Sequence, residues 1–199
     1  MDAAAVDEPV PTRSARASVE DALLDAAERL LVESGHAGIT TRRLANEAGV
    51  NHGLVHYYFG SMENVLVRAL ERFTQRLVER QRALYAADLP FLEKWRTAMR
   101  YLMSDDVAYG KVWLELQALA WNHARLRERL ATVDAEWRAV LTEAFAPARN
   151  DHRIDMPLEA LVSLVMTSNL GIMLERQSGI DAGHRELLEW IEGWLDERG

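Results

Sequence analysis

Apolar residues recur at helical spacing along most of the chain. Between Ser18 and Ser34 they fall three or four positions apart, at Val19, Leu23, Leu24, Ala27, Leu30 and Leu31. A second stripe runs from Ser61 to about Tyr85, with arginine and glutamate residues on the opposite side. The chain has no run of alternating β-branched residues, so no sheet is expected. This pattern predicts an all-α protein.

Five further helical stretches follow the second stripe. They span roughly residues 91–103, 106–122, 124–147, 157–177 and 183–197. Helix breakers are expected between several of them, at 88–90, 104–106, 147–157 and 178–183. With the N-terminal segments the total is about nine helices, and no internal repeat is evident.

Residues 40–62 predict two short helices around a glycine. Thr40 can cap the first helix by accepting backbone N–H groups. Gly49 ends that helix, because glycine enters the left-handed region without a Cβ penalty. Asn51 is expected to cap the helix that follows. A helix that braces and a second that enters the DNA major groove are the two parts of a helix-turn-helix.

The charge of the chain limits how it can bind DNA. The formal net charge is -8, and neither half of the chain is basic. The candidate phosphate contacts are therefore local, at Arg13, Arg16, Arg42 and Arg43. This predicts modest general affinity for DNA and a shallow salt dependence.

Composition and the ends of the chain narrow the class of protein further. Cysteine is absent, which excludes disulfides and thiolate metal sites. Residues 1–17 read as a disordered acidic leader without a signal-peptide pattern. The stretch 160–174 is interrupted by polar residues and is too short to span a bilayer. We expect a cytoplasmic protein with no membrane partner, no cofactor and no metal.

Four linked motifs in this order resemble the TetR family of transcriptional regulators. They are Leu30-Leu31-Val32-Glu33-Ser34-Gly35, Thr40-Thr41-Arg42-Arg43-Leu44-Ala45, Ala48-Gly49-Val50-Asn51 and Tyr57-Tyr58-Phe59-Gly60-Ser61. The resemblance covers residues 18 to about 70. It implies a three-helix DNA-binding domain at 18–60 and a larger helical domain for ligand binding and dimerisation at 61–199. It also implies a homodimer whose recognition helices meet successive major grooves.

Three positions depart from the family pattern. Met62 stands where members usually carry a lysine or arginine, and His56 stands where they usually have a phosphate-contacting tyrosine. His52 occupies a place often taken by a cation or glutamine. These departures weaken the electrostatic grip on DNA, and they leave the operator sequence unpredictable from the family.

The candidate DNA contacts fall into two groups. Thr40 and Arg42 are assigned to phosphate. The residues presented to the groove are Asn51, His52, Gly53, Leu54, His56 and Tyr57. His52 is the strongest candidate base reader, because an imidazole can donate to guanine O6 or N7. The alternative is that His56, Tyr57 and Tyr58 build a small core beneath the motif.

Large, soft side chains mark the predicted C-terminal domain. The candidate ligand-binding residues are Trp95, Met99, Met103, Trp113, Gln117, Trp121, Met166, Asn169 and Met173. Such residues suit a mainly apolar pocket with a few polar groups, to which Tyr109 could add. The effector would then be a small apolar or amphipathic molecule. The alternative is that these side chains are ordinary core.

Two stripes near the C-terminus predict a four-helix dimer seam. Their residues are Leu161, Leu164, Val165, Ser168 and Ile172, then Leu187, Leu188, Ile191, Trp194 and Leu195. The alternative is that one stripe serves the domain's own core.

The expected function is that of a homodimeric repressor that a small ligand releases from its DNA operator. Ligand binding would favour a wider spacing of the recognition helices, so that both could not dock. A helical enzyme using His123 or His152 is disfavoured, because no activated nucleophile, phosphate loop or paired metal motif is present. A protein-binding adaptor is the other alternative, and the acidic charge is its best argument.

Overall fold

The computed structural model describes residues 13–198, which form nine α-helices and no strand. The helices are α1 (Arg13–Ser34), α2 (Thr41–Ala48), α3 (Gly53–Phe59), α4 (Met62–Ala86), α5 (Phe91–Arg100), α6 (Val107–Ala120), α7 (Ala124–Asp151), α8 (Leu158–Gln177) and α9 (His184–Asp196). The all-α prediction is confirmed. Helix α1 begins at Arg13, so the last five residues of the predicted leader are helical. The first twelve residues of that leader lie outside the described part of the chain.

The first compact unit ends at Ala69. Helix α1 packs against α2, and α2 packs against α3. Leu23, Leu44, Val55 and Val65 have no exposed surface and form the centre of this unit. Because Val65 belongs to α4, the first turns of that helix belong to the first unit. The division of contacts therefore falls nine residues beyond the boundary that the sequence predicts.

The second compact unit runs from Leu70 and contains the rest of α4 and α5 to α9. Helix α7 packs against both α6 and α8, and α5 packs against α9. Its core is rich in aromatic rings. Phe145 meets Trp95 and Phe91 edge to face, with ring centroids 6.2 and 5.2 Å apart, in the geometry that aromatic pairs prefer.

The expected break at 104–106 is reduced to Asp106, whose φ of −101° and ψ of 14° are not helical. It follows a π-helical turn, Tyr101–Asp105, and its backbone N–H donates to the Tyr101 carbonyl oxygen at 2.9 Å. The wider turn adds one residue between α5 and α6, and such insertions are frequent at functional sites.

The break expected at 147–157 begins later than predicted, because α7 continues four residues beyond Pro147. Proline removes one backbone hydrogen bond from a helix and crowds the preceding turn. Pro147 is exposed, while its neighbours Ala144, Phe145 and Ala148 are buried. Packing of that buried face outweighs the local preference against proline.

Candidate nucleic-acid interface and internal cavity

The turn between α2 and α3 has the geometry that its residues predict. The Thr40 hydroxyl accepts the Arg43 backbone N–H at 3.2 Å and caps α2. Gly49 ends α2 in the left-handed region, at φ 68° and ψ 30°. The Asn51 side-chain oxygen accepts the Gly53 backbone N–H at 2.9 Å, which fixes the start of α3. These three local contacts set the direction in which α3 leaves the turn.

Helix α3 has one buried side and one exposed side. Val55 and Phe59 are buried and hold the helix against its unit. Asn51, His52, Gly53, His56 and Tyr57 are exposed, and Leu54 is half-buried. Tyr57 keeps 60% of its surface exposed. The exposed side therefore carries the residues that the sequence assigns to the groove.

His56 is exposed and does not belong to the core. Its Nδ1–H donates to the Gly60 carbonyl oxygen at 3.3 Å. This bond orients the ring and leaves Nε2 as the nitrogen that can meet another molecule. Tyr58 is half-buried and meets Tyr57 edge to face, with ring centroids 5.2 Å apart.

The two arginines of α2 have different environments. Arg43 donates to the Ser34 hydroxyl and the Gly38 carbonyl oxygen, both at 3.0 Å. It therefore ties the end of α1 to the start of α2. Arg42 is exposed in the first turn of α2, beside Thr40. Of the two, Arg42 is the one that the sequence assigns to a phosphate.

Carboxylates engage other cations of the first unit. Arg29 pairs with Glu47 at 3.0 Å, and Arg68 pairs with Glu20 at 2.9 Å. All four side chains are at least one-third exposed, so the pairs add little to stability. Each pair offsets the charge of one arginine of the first unit.

The second unit contains a cavity of about 260 Å³. Helices α4 to α8 and the π-helical turn contribute its walls. The lining residues are Gln81, Tyr85, Ala98, Met99, Leu102, Asp106, Tyr109, Trp113, Gln117, Asp134, Trp137, Arg138, Leu141, Val165, Met166, Thr167, Asn169, Leu170 and Met173. Aromatic rings and thioethers dominate, with a few polar groups among them, as is typical of small-molecule sites.

Most of the sequence-predicted ligand residues lie on this cavity. They are Met99, Trp113, Gln117, Met166, Asn169 and Met173, together with Tyr109. The other three candidates, Trp95, Met103 and Trp121, do not line it.

Each of the three has a different environment. Trp95 packs into the aromatic core, and the Met103 sulfur accepts from Arg176 at 3.4 Å. Trp121 lies just beyond the last residue of α6 and is 81% exposed.

Sequence reasoning missed the walls contributed by α4 and α7. Asp134, Trp137, Arg138 and Leu141 line the cavity and follow the spacing of one helical face. Gln81 and Tyr85 lie one turn apart on α4. The helical period could have grouped these residues. It could not indicate that the face they share meets a cavity, because the same spacing occurs in solid cores.

Tyr109 connects three helices at the cavity wall. Its hydroxyl accepts from Trp137 Nε1 at 3.1 Å and lies 3.1 Å from the hydroxyl of the fully buried Thr74 on α4. Burial raises the pKa of Tyr109 to about 12, although its two hydrogen bonds oppose the shift. Burial also raises the pKa of Tyr85 to about 12, against a hydrogen bond with Gln81. Both hydroxyls are therefore neutral donors at physiological pH.

Two carboxylates lie at the cavity, each paired with an arginine. One nitrogen of Arg80 donates to both oxygens of Asp106, at 2.5 and 2.7 Å. Arg138 Nε donates to Asp134 at 2.6 Å, one turn away on α7. Asp106, Asp134 and Arg138 line the cavity, whereas Arg80 reaches Asp106 from outside the lining.

A short exposed helix that follows a glycine turn and packs against the preceding helix is the structure of a helix-turn-helix DNA-binding protein. Residues 23–69 match the family described as bacterial regulatory proteins, tetR family. The DNA-binding segment of the chain is therefore that of a TetR-family transcriptional regulator. That family consists of regulators and not of enzymes.

A curated relative supports this assignment. The HTH-type transcriptional regulator BetI of Rhizobium meliloti (strain 1021) is 28% identical over 147 residues, which cover 71% of this chain and 72% of BetI.

Solved structures share the fold over nearly the whole chain. A TetR-family regulator from Rhodococcus sp. has a TM-score of 0.73 at 20% identity, covering 92% of this chain and 98% of that one. FadR of Bacillus subtilis in complex with stearoyl-CoA gives 0.70 at 16% identity, covering 88% and 96%. A regulator from Saccharomonospora viridis in complex with choline gives 0.71 at 17% identity, covering 91% and 95%.

Proposed function

We propose that this chain is a homodimeric repressor that a small apolar or amphipathic ligand releases from its operator in the cytoplasm. The observation that carries the proposal is the course of α4. Only two residues separate the end of α3 from the start of this helix, and further along it Gln81 and Tyr85 line the cavity. One continuous element therefore carries both the wall of a ligand site and the junction with the DNA-reading helix.

The junction between α3 and α4 is tightly bonded. The Asn64 side chain donates to the Phe59 carbonyl oxygen at 2.8 Å, and the Asn64 backbone N–H donates to the Ser61 hydroxyl at 3.2 Å. A change at the start of α4 is thereby transmitted to the end of α3. Ligand binding can shift the DNA affinity only by its preference for one state, which is typically about 1–3 kcal/mol.

The DNA contacts follow from the exposed surface of the first unit. Thr40 uses a lone pair in its cap, and its O–H can still donate to a phosphate. Arg42 supplies a second phosphate contact. Asn51, His52, Gly53, Leu54, His56 and Tyr57 face the groove, with His52 as the principal base reader and Leu54 against a thymine methyl.

Apolar residues exposed on α8 and α9 support dimerisation, although they coincide only in part with the predicted stripes. Leu161, Val165, Ile172 and Leu195 are buried in the chain's own core, so their assignment to the seam is wrong. The exposed residues that could meet a second copy include Leu164, Leu170, Leu174, Leu187 and Trp190. Burying such a face against its twin removes apolar area from water.

Helix α8 also bears on the membrane prediction. At 20 residues it is long and apolar enough to cross a membrane by length and composition, with 22% of its most apolar window buried. The apolar stretch predicted at 160–174 is therefore shorter than the helix that contains it. A core or interface helix passes the same test, and dimerisation accounts for the exposed apolar surface.

A gel-shift titration with the DNA flanking the chain's own gene tests the assignment. We expect Arg42→Ala and Tyr57→Ala each to weaken the complex about ten-fold, because one DNA contact contributes about 1–3 kcal/mol. Arg125→Ala and Trp121→Ala replace exposed residues outside the first unit and serve as matched controls. Unchanged binding by both test variants would show that α3 does not contact the DNA.

Repeating the titration at two salt concentrations separates the two candidate functions. A sequence-specific complex that salt weakens supports the repressor. Absence of any complex at low salt favours the acidic adaptor.

A further inference from the structure

We propose that the cavity selects an organic cation with an apolar body, and that the cation's positive group competes with Arg80 for Asp106. This proposal rests on the proposed ligand-binding function and deepens it. It names the chemical class of the effector and the contact through which binding reaches α4.

The walls of the cavity suit a positive group. The Tyr109 ring centroid lies 6.3 Å from those of both Trp113 and Trp137. The faces of such rings carry partial negative charge and attract cations, and tryptophan does so most strongly. Thioethers of Met99, Met166 and Met173 provide soft, adaptable contacts for an apolar body.

The charged groups at the cavity favour a cation over an anion. Asp106 and Asp134 belong to the lining, and each is paired with an arginine: Arg138 donates to Asp134 at 2.6 Å, and Arg80 donates to Asp106 from outside the lining. Because both pairs are formally neutral, a cation gains by replacing the Arg80 guanidinium at Asp106. An anion finds no uncommitted guanidinium among the described lining residues.

The pairing of Asp106 with Arg80 leaves room for a competitor. A single guanidinium nitrogen contacts both carboxylate oxygens, in place of the two-nitrogen fork that makes arginine pairs strongest. The buried Arg80 Nε has no hydrogen-bond partner. The guanidinium carbon lies 3.9 Å above the centre of the Tyr101 ring, which supports the cation without using Asp106. Arg80 therefore keeps a favourable contact when Asp106 turns to a ligand.

The pair of Asp106 and Arg80 links the cavity to α4. Asp106 directly follows the π-helical turn and lines the cavity, and Arg80 belongs to α4 one residue before the cavity-lining Gln81. A cation bound at Asp106 weakens the hold of α6 on Arg80. Helix α4 would then lose one of its polar ties, while those of Glu71 to Arg129 and of Thr74 to Tyr109 remain.

Three probes with the same body isolate the charge of the ligand. They are 4-phenylbutylammonium, 4-phenylbutanol and 4-phenylbutanoate, titrated into the full chain by isothermal calorimetry. We expect the ammonium compound to bind at least ten-fold more tightly than the alcohol, and the carboxylate to bind most weakly. Equal binding of the alcohol and the ammonium, or tighter binding of the carboxylate, would overturn the proposal.

Variants then identify the carboxylate and the competition. Asp106→Asn should abolish the ammonium preference and leave the alcohol unchanged. Arg80→Gln should tighten ammonium binding several-fold with no effect on the alcohol, because the competitor is removed. Asp155→Asn, at an exposed position outside the lining, is the matched control. Loss of the preference in Asp134→Asn but not in Asp106→Asn would refute the role of Asp106.

These measurements are independent of DNA and of the folding of any one variant. Should Asp106→Asn fail to fold, the opposite change expected in Arg80→Gln still decides the matter. Failure of the proposed repressor function would appear as absence of an operator complex. A protein that binds its operator but shows no cation preference would refute this inference alone.

Discussion

Gly49 carries the geometry of the DNA-reading unit at the scale of a single residue. Its φ of 68° lies in a region that side chains with a Cβ rarely adopt, yet a Cβ at this position would meet no atom within 4 Å. The need for glycine is therefore conformational and not steric. A substitution at Gly49 therefore measures the energetic cost of the backbone conformation without a change in packing.

We expect Gly49→Ala to lower the free energy of unfolding by about 1–2 kcal/mol, the cost of a left-handed conformation for an L-residue. Urea denaturation followed by circular dichroism measures the change. Gly53→Ala is the matched control in the same unit, because its φ is not positive and the added Cβ would lie at an ordinary 3.5 Å from Asn51. A loss no larger than that of Gly53→Ala would show that the turn does not depend on the left-handed residue.

Arginine 43 shows at the same scale why residue type alone does not assign a role. Arg42 and Arg43 are adjacent and chemically identical, and both are exposed to some degree. The two hydrogen bonds of Arg43 tie it to Ser34 and Gly38, which makes it a structural residue. Their difference arises from the helical rotation of about 100° between neighbours.

At the scale of elements, α7 contains the clearest conflict between local preference and tertiary packing. Pro147 lies in its last two turns on the exposed side. The helix loses a backbone hydrogen bond at Pro147. Because the pyrrolidine ring is exposed, it adds no packing in the core to offset that loss.

We expect Pro147→Ala to raise the free energy of unfolding by about 1–3 kcal/mol, because alanine restores the bond and relieves the clash. Thermal and urea denaturation give the size of the change. Ala139→Pro, at an exposed position in the middle of the same helix, should destabilise the protein by about 3 kcal/mol or more. A destabilised Pro147→Ala protein would mean that the proline is favoured by a kink that the packing requires.

The elements themselves were largely predictable from the sequence, because helical periodicity and caps act locally. Thr40, Gly49 and Asn51 each have the predicted backbone role. The exact ends were less predictable. Trp113 and Trp121 share one predicted stripe, but α6 ends at Ala120, so only Trp113 reaches the cavity. The end of α6 depends on contacts far along the chain, which a local pattern does not contain.

The candidate cavity was predictable in kind and only partly in detail. The stripe of Met166, Asn169 and Met173 lies on it as the sequence suggests. Trp95 belongs to the same class of residue but turns into the aromatic core. Which of two apolar faces meets a cavity is set by how several helices pack together. For the same reason the predicted stripes on α8 and α9 mix exposed residues, such as Leu164 and Leu187, with residues of the chain's own core.

At the scale of the whole molecule, two copies are needed to reach two half-sites about 34–36 Å apart on DNA. The exposed apolar residues of α8 and α9 provide the surface proposed for that assembly. Trp190 is the largest of them and is 65% exposed. A charged residue at its place would be buried without a partner in the dimer.

We expect Trp190→Asp to shift the protein from dimer to monomer at micromolar concentrations and to weaken operator binding at least ten-fold. Sedimentation velocity measures the assembly, and a gel shift measures the binding. Trp121→Asp changes an even more exposed tryptophan elsewhere and should leave the dimer intact. A wild-type protein that sediments as a monomer would contradict the assignment of this surface.

The placement of Trp113 and Trp137 on the cavity wall gives the molecule an optical signal of its own. A bound compound that touches either indole changes the polarity around it and so shifts or quenches its emission. The exposed Trp121 emits at longer wavelength, as indoles in water do, and forms a constant background. Occupancy of the cavity can therefore be followed without a label, by exciting the unmodified protein at the red edge of indole absorption.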